Sequence, residues 1–343
     1  MGEAGGRAQP IMKTSPSSPE TSRAKTLRRA RQRARRVERG ASCIACVFLL
    51  LSFTALPRTT RAGTPRTPEL ALAAAPAPLA SLVGAPSIDQ VAQDDTLLDI
   101  AERHRLGFER VARLNPDLDA WIPAPQSRVR LPTYHVLPDA PHEGLVVNLP
   151  ELQLYDYGVD SQAPEVVALA IGDELDPSLL GSFKVGQKRA NPVWHVPASI
   201  RAEKPELPAE VPAGPDNPLG PYWLAIGATS YGIHGTNNRW SIGREATHGC
   251  LRLYNDVIER LFERTRTGTP IRLLYQTVKL GLRDGIVYAE AHPDRYRRDP
   301  DRLATAIARL SAWDIADDEA LALLGRTVEE ARGEPVAIAV LAN

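Results

Sequence analysis

The stretch GIHGTNNRWSIGREATHGCLRL, from Gly232 to Leu253, brings His234, His248 and Cys250 within seventeen positions of one another. A thiol attacks a carbonyl carbon as its thiolate, and a neighbouring imidazole can take the proton. His234 closes the strand-like YGIH and Cys250 opens the strand-like CLRL, with a connection containing Gly and Asn between them. Two adjacent strands joined in that way would set residues sixteen apart side by side. His248 stands two positions before Cys250, so on a continuous strand both side chains would point to one face. Gly249 lets the backbone turn tightly, and its amide and that of Cys250 could then face a carbonyl oxygen as it becomes negative.

Three chemistries compete for these residues. Cysteine–histidine nucleophilic catalysis needs a free thiol, a base and main-chain donors, and all are present. A zinc site would draw on His234, His248 and Cys250, but zinc usually takes a close pair of ligands from each of two segments, and no fourth ligand is evident; the expectation is no metal. An inert buried cysteine with two structural histidines is the default for an isolated thiol. Two histidines that each adjoin a glycine, beside the one thiol of the exported part, favour the first.

That argument depends on compartment. The chain has 343 residues, enough for two or three domains, and 43% of them are hydrophobic, enough to build real cores. Its net charge of zero hides an asymmetry: the first 40 residues hold eleven Lys/Arg against three Asp/Glu, and the remainder is acidic by the same margin. The basic residues gather in RAKTLRRARQRARRVERG, directly before the 16 apolar residues Ala41–Leu56, rather than on a folded surface. This placement argues against a nucleic-acid partner and for an export signal or membrane anchor. The run is short of the roughly 20 residues of a spanning helix. An uncleaved anchor with residues 1–40 in the cytoplasm and 41–57 in the inner membrane is the expectation, a cleaved signal peptide the alternative, and Met12 is a second candidate start. Cys43 and Cys46 fall in the apolar run with no βαβ context for a redox motif. Cys250 is then the only thiol outside the cytoplasm, with no partner for a disulfide.

The elements that must position these residues follow from composition and period. Residues 58–86 are rich in Pro and Ala and read as a linker. In 87–138 a helix-start signal at Asp95 and Thr96 precedes Leu97, Ile100, Ala101 and His104, which would share one face. A second helix is expected over Phe108–Leu114 and a closing strand at SRVRLP. This strand–helix–helix–strand order resembles LysM, a module that binds glycans containing N-acetylglucosamine, with Asp94 where glycine is usual; a purely structural cap is the alternative. From Gly144 to 275 the period becomes two, and short strand candidates dominate until NDVIERLFERTR, a helix with Asp256 at N-cap and Glu259 at N3. ELPAEVPAGPDNPLG is a long loop without regular structure. In 276–343, VKLGLRDGIVYAEAH is strand-like, Leu303, Ile307 and Leu310 and then Leu321, Leu324 and Val328 mark two amphipathic helices, and Gly333 is a helix stop; packing against the catalytic domain is expected.

IHGTNN followed by THGCLRL resembles the signature of L,D-transpeptidases with a YkuD-type catalytic domain: a histidine, a spacer, then Ser/Thr-His-Gly-Cys. EGLVVNLPELQLYDY, NPVWHVPASIRAE, VPAGPDNPLGPYWLAIG and VKLGLRDGIVYAEAHP extend the likeness to the ErfK/YbiS branch, which attaches a major outer-membrane lipoprotein to peptidoglycan. One departure is the run Asp176-Pro177-Ser178-Leu179-Leu180-Gly181, where the family often has Thr-Pro before Leu-Gly. The resemblance implies a mainly β catalytic domain, a YkuD-like β-sandwich, between a small α+β LysM-like module and an α/β C-terminal extension. It implies that Cys250 attacks the meso-diaminopimelate carbonyl of a tetrapeptide stem, that D-alanine leaves, and that the thioester passes to an amine, with His234 as acid and base. A lipoprotein lysine, a second diaminopimelate or water could serve as acceptor, the first being favoured. It further implies that the Gly235 carbonyl orients His234, that Gly249 donates to the oxyanion and that His248 supports it. Arg252 would suit an acidic substrate, although a solvated strand residue reads as well. Tyr231, Trp194, Tyr222 and Thr247 complete the expected substrate side, Thr247 in a structural part. No cofactor is implied, the expected partners are stem peptides and the lipoprotein, and the expected location is the periplasm.

Overall fold

The computed structural model of the chain describes residues 79–158, 163–315 and 317–341. The basic segment 1–40, the apolar segment 41–57 and most of the linker lie outside the described residues. Among the described residues no helix is long and apolar enough to cross a membrane.

Strands β1 (Leu82–Gly84) and β2 (Ser87–Gln90), helices α1 (Leu97–Arg103) and α2 (Phe108–Leu114), and strands β3 (Arg128–Leu131) and β4 (Tyr134–Val136) form the N-terminal part. β2 pairs antiparallel with β3 around a core of Val91, Leu97, Ile100, Ala101, Val111 and Val129, the expected strand–helix–helix–strand order. Thr96 caps α1: its hydroxyl accepts from the Asp99 amide at 3.1 Å, and the Asp99 carboxylate accepts from the Thr96 amide at 3.0 Å. Asp94 takes φ +65°, a conformation that favours glycine. Two expectations fail here. His104 does not join the buried face of α1: the helix ends at Arg103, His104 leaves the helical conformation as its C-cap, and its Nε2 lies 2.7 Å from the Asp89 carboxylate. Nor is the end of 58–86 linker: β1 pairs with β4, and Ala80 bridges Gly281, since SLVG offers a short apolar segment to an open strand edge.

The middle of the chain contains β5 (Gly144–Asn148), β6 (Gln153–Gly158), β7 (Glu165–Ala168), β8 (Ile171–Gly172), β9 (Gly181–Ala190), β10 (Trp194–His195), α3 (Ala198–Glu203), β11 (Glu210–Val211), β12 (Tyr222–Ile226), β13 (Gly232–His234), β14 (Glu245–Thr247), β15 (Leu251–Arg252), α4 (Asn255–Arg264) and β16 (Pro270–Leu274). Eight strands make one curled mixed sheet in the order β15-β13-β12-β9-β16-β5-β6-β7, in which β13–β15 and β5–β16 run parallel. β8 and β14 form a separate parallel pair. Leu145, Val147, Leu224, Ile233 and Leu251 bury one side of the sheet together with Val257, Ile258 and Leu261, the apolar stripe of α4. The start of α4 differs from expectation. Its N-cap is Tyr254, with no side-chain cap bond, and Asp256 inside the first turn pairs with Arg105 at 3.0 Å instead of capping. The long loop is irregular except for β11, which pairs with β10.

The C-terminal part, β17 (Val278–Arg283), β18 (Ile286–Ala291), α5 (Arg302–Ser311), α6 (Asp318–Glu330) and β19 (Val336–Val340), has its own core of Leu280, Val287, Leu310, Leu324, Val328 and Ile338. The stretch expected as one strand is a hairpin turning at Asp284 and Gly285, with φ +53° and +76°, the backbone that an Asp-Gly turn prefers. α6 is stopped by Ala331 at φ +44°, two residues before Gly333.

Where the three parts meet lies a buried ionic cluster. Lys279 Nζ stands 2.9 Å from Glu151 and 3.1 Å from Glu290. Arg110 reaches Glu290 at 3.3 Å and the Gly333 carbonyl at 2.6 Å, His292 lies 3.1 Å from Glu290, and Tyr155 donates to Glu151. His135, on β4, places Nδ1 3.3 Å from Arg110. Two carboxylates and two permanent cations balance, which is what burial of charge demands.

Candidate active site

β13 is the centre of the site. Antiparallel pairing sets Trp223 against His234 and Leu224 against Ile233, and parallel pairing sets Leu251 against Ile233 and Arg252 against His234. Side chains alternate across a sheet, so Leu224, Ile233 and Leu251 face the core, while Trp223, His234 and Arg252 share the other face. Cys250 immediately precedes β15, and continuing the register one step sets it beside Gly232, towards that same face. It stands about 7 Å along and about 5 Å across from His234 at the backbone, within reach of two converging side chains. The Gly232 amide lies close enough to the thiol to oppose part of the rise that burial gives it.

His234 is buried, and its Nδ1 lies 2.6 Å from the Gly235 carbonyl oxygen. A carbonyl can only accept, so Nδ1 carries the proton and Nε2 keeps its lone pair. Burial, with the positive Arg252 adding to it, pushes the imidazole down to about 3 against the opposing pull of the Gly235 and Leu219 carbonyls. Burial raises the Cys250 thiol above its ordinary value, and the Gly232 amide and Arg252 offset part of this. The resting pair at neutral pH is therefore an uncharged thiol and an uncharged imidazole. The proton must move when the nucleophile is needed rather than beforehand.

The 3-10 turn Arg239–Ser241 places Ser241 Oγ 2.9 Å from Arg252 Nη1. Arg252 is half-buried, not a solvated strand residue, and among the described residues no carboxylate is paired with it. The loop that begins with Gly235 is tied to α4: Asn255 Oδ1 accepts from the Thr236 amide at 2.8 Å, and Asn255 Nδ2 donates to the Thr236 carbonyl at 2.9 Å. That double bond occupies the side chain that would otherwise be free to cap the helix.

The strand alternation expected between His248 and Cys250 does not hold. The chain leaves β14 after Thr247, turns through Gly249 at φ +98°, and enters β15 only at Leu251. His248 is consequently exposed and faces Glu203 of α3, at 3.4 Å, rather than the thiol. Thr247 is buried and closes the turn on itself: its hydroxyl accepts from the Gly249 amide at 3.2 Å and donates to the Cys250 carbonyl at 2.6 Å. The Gly249 amide, expected to meet the oxyanion, is thus already engaged, and the Thr247 hydroxyl has no proton left to donate to a substrate. The turn is crowded. A Cβ on Gly249 would lie 2.4 Å from the Tyr231 ring, and one on Gly172 would lie 2.9 Å from Gly249 Cα. The 176–181 run that departs from the family pattern therefore sits behind the cysteine turn, with Ser178 Oγ accepting from the Gly172 amide at 2.9 Å.

Among the aromatic residues expected to line the cleft, Tyr231 lies against the turn and Trp194 is half-buried on β10, paired with Val211 of β11. Tyr222 does not face the dyad. It packs on Phe262 at 4.7 Å and donates to Glu259 at 3.3 Å on the α4 side of the sheet. Its neighbour Trp223 takes that place, stacked on His234 with centroids 5.6 Å apart and planes 17° apart. The strand parity of YWLAI could have revealed this, because Trp223 is the residue registered with His234. Sequence reasoning also missed Asn255, whose contact spans nineteen positions. It missed the ionic cluster too, whose members are scattered from 110 to 292. Among the described residues the only convergent set of three possible metal ligands is His135, Glu151 and Glu290. Lys279 stands in contact with both of its carboxylates.

Residues 142–273 match the L,D-transpeptidase catalytic domain of the YkuD type. The chain is 34% identical over 262 residues to the probable L,D-transpeptidase YbiS of Escherichia coli, covering 74% of this chain and 81% of that protein. It is 35% identical over 252 residues to the probable L,D-transpeptidase YcfS of the same organism, covering 70% and 78%. To the probable L,D-transpeptidase ErfK/SrfK of Salmonella typhimurium it is 37% identical over 219 residues, covering 62% and 71%. A mainly β domain with a thiol and an imidazole on one sheet face, matched along most of its length by these relatives, identifies the chain as a member of the L,D-transpeptidase family, a cysteine-dependent transpeptidase.

Proposed function

We propose that Cys250 is the nucleophile and His234 the base of a peptidoglycan acyl transfer. The observation that carries this reading is the His234 tautomer: Nδ1 is committed to the Gly235 carbonyl, which leaves Nε2 as the proton acceptor on the face shared with Cys250. As Cys250 Sγ bonds to the carbonyl carbon of meso-diaminopimelate in a tetrapeptide stem, its proton passes to Nε2. The carbon–nitrogen bond to D-alanine then breaks, and the same proton leaves with the amine. An acceptor amine attacks the thioester, gives a proton to His234, and releases the thiolate, which is reprotonated. With the Gly249 amide held by Thr247, the Cys250 amide is the main-chain donor we assign to the oxyanion. Arg252, lacking a carboxylate partner among the described residues, would hold a stem-peptide carboxylate.

The ErfK/YbiS resemblance favours a lipoprotein lysine as acceptor, and the basic-then-apolar N-terminus favours a periplasmic site of action with an inner-membrane tether. The LysM-like part would hold glycan strands. Mass spectrometry of digested cell wall tests the acceptor: lysine-bearing remnants on tripeptide stems are expected. Diaminopimelate–diaminopimelate dimers in their place would make the enzyme a cross-linker, and loss of lipoprotein remnants on expression would make it a hydrolase.

A further inference from the structure

Trp223 has no part in the transfer as described, yet it touches His234 and the glycine that neighbours Cys250 across the sheet. Its ring lies nearly parallel to the His234 imidazole, 5.6 Å between centroids. It also lies over Gly232, where a Cβ would stand 2.4–2.6 Å from three atoms of the indole. Gly232 is the residue that the parallel pairing of Ile233 with Leu251 sets opposite Cys250. One half-buried indole therefore covers the base and the glycine opposite the nucleophile together. Only glycine at 232 leaves room for it.

We propose that Trp223 is a positioning residue of the dyad: its stacked indole holds the imidazole plane that aims Nε2 at Cys250 and keeps bulk water off that ring. The inference rests on the assignment of Cys250 and His234 as nucleophile and base. Stacking limits rotation of the imidazole about its side-chain bonds, to which main-chain carbonyls at the ring edge add only in-plane restraint. Exclusion of water keeps the imidazole neutral, as burial already requires. The remaining charged and titratable groups that face His234 are Arg252 and Cys250 from the β15 side, while the 219–221 segment offers only the Leu219 carbonyl.

The test compares full-length wild type with Trp223→Ala, Trp223→Leu and Trp223→Phe. Three quantities are read: kcat and KM on a disaccharide tetrapeptide, the pH dependence of iodoacetamide alkylation of the Cys250 peptide by mass spectrometry, and the His234 Cε1–H signal by NMR. Trp223→Ala should lower kcat by about 10- to 100-fold with KM little changed, as expected for a misaligned proton acceptor. Its His234 signal should titrate near the ordinary imidazole value, whereas the wild-type signal should stay flat down to about pH 5. Trp223→Phe should restore most of kcat and the wild-type titration. Trp223→Leu keeps apolar bulk without an aromatic face, so it should fold even if the alanine variant does not, and should resemble the latter in kcat. An unchanged kcat and titration in the leucine and alanine variants would overturn the proposal, and so would an effect confined to KM, which would make Trp223 a substrate contact. Failure of the dyad assignment itself would show separately, as transfer activity surviving Cys250→Ala.

Discussion

His234 in the active site and His135 with His292 at the junction are all buried, and burial pushes all three imidazoles below their ordinary value. Their surroundings differ. At the junction every charge has a counter-charge: Glu151 and Glu290 face Lys279 and Arg110, and the hydroxyl of Tyr155 and the amide of Val136 take up further carboxylate oxygens. At the dyad one cation, Arg252, stands beside two uncharged groups, and among the described residues no carboxylate answers it. A compensated cluster lowers its own reactivity and locks three parts of the chain together. The uncompensated site keeps a base with a free lone pair and a positive potential ready for an anion. The difference is one of missing partners rather than of residue type, since histidines occur in both.

Substitutions can separate the two regions. The largest effect should come from Cys250→Ala, with transfer activity lost by about a thousandfold or more and the urea midpoint essentially unmoved; wall products restored by that variant would remove the thiol from the mechanism. Next, Lys279→Met should cost about 3–5 kcal/mol of stability, because it strands two buried carboxylates, while turnover per folded molecule stays near wild type. Equal midpoints by urea denaturation would mean that the cluster contributes no net attraction.

A smaller effect is expected from pH. His135 and His292 have folded values below 6.5, so the stability they contribute is present above that pH and is lost as pH falls below it. Burial alone would raise the Glu290 carboxyl, but Lys279, His135 and His292 hold it well below 4.5, so its contribution is present above 4.5 and fades as pH drops further. The urea midpoint should hold steady above pH 7, fall below about 6.5 and fall faster below about 4.5. Turnover per folded molecule should stay level from pH 7 to about pH 5, since His234 remains neutral there. An acid limb of kcat near 6.5 in wild type would contradict the neutral resting pair. The smallest effect belongs to His248→Ala. Its exposed contact with Glu203 is worth about 1 kcal/mol at most, so kcat should change by less than about fivefold. A hundredfold loss would return His248 to the oxyanion site.

What could be read from residue order alone was whatever depends on neighbours. The helix start at Thr96, the two helices around Ile100 and Val111 and the apolar stripe of α4 are local matters of period and capping. The Asp-Gly hairpin is equally local, yet the alternation on both sides of it reads as one continuous strand. The linear motif was enough to nominate Cys250 and His234, because family likeness is carried by order and spacing. Which side chains share a face was a different question. Strand parity broke at Gly249, so His248 turned outward, and parity on β12 selected Trp223 in place of Tyr222. Thr247 and the Gly249 amide were consumed by their own turn, a choice visible only once the hydrogen bonds are closed. The ionic cluster was wholly a product of tertiary contact. Its residues come from the N-terminal, catalytic and C-terminal parts, and each is costly to bury until the others arrive.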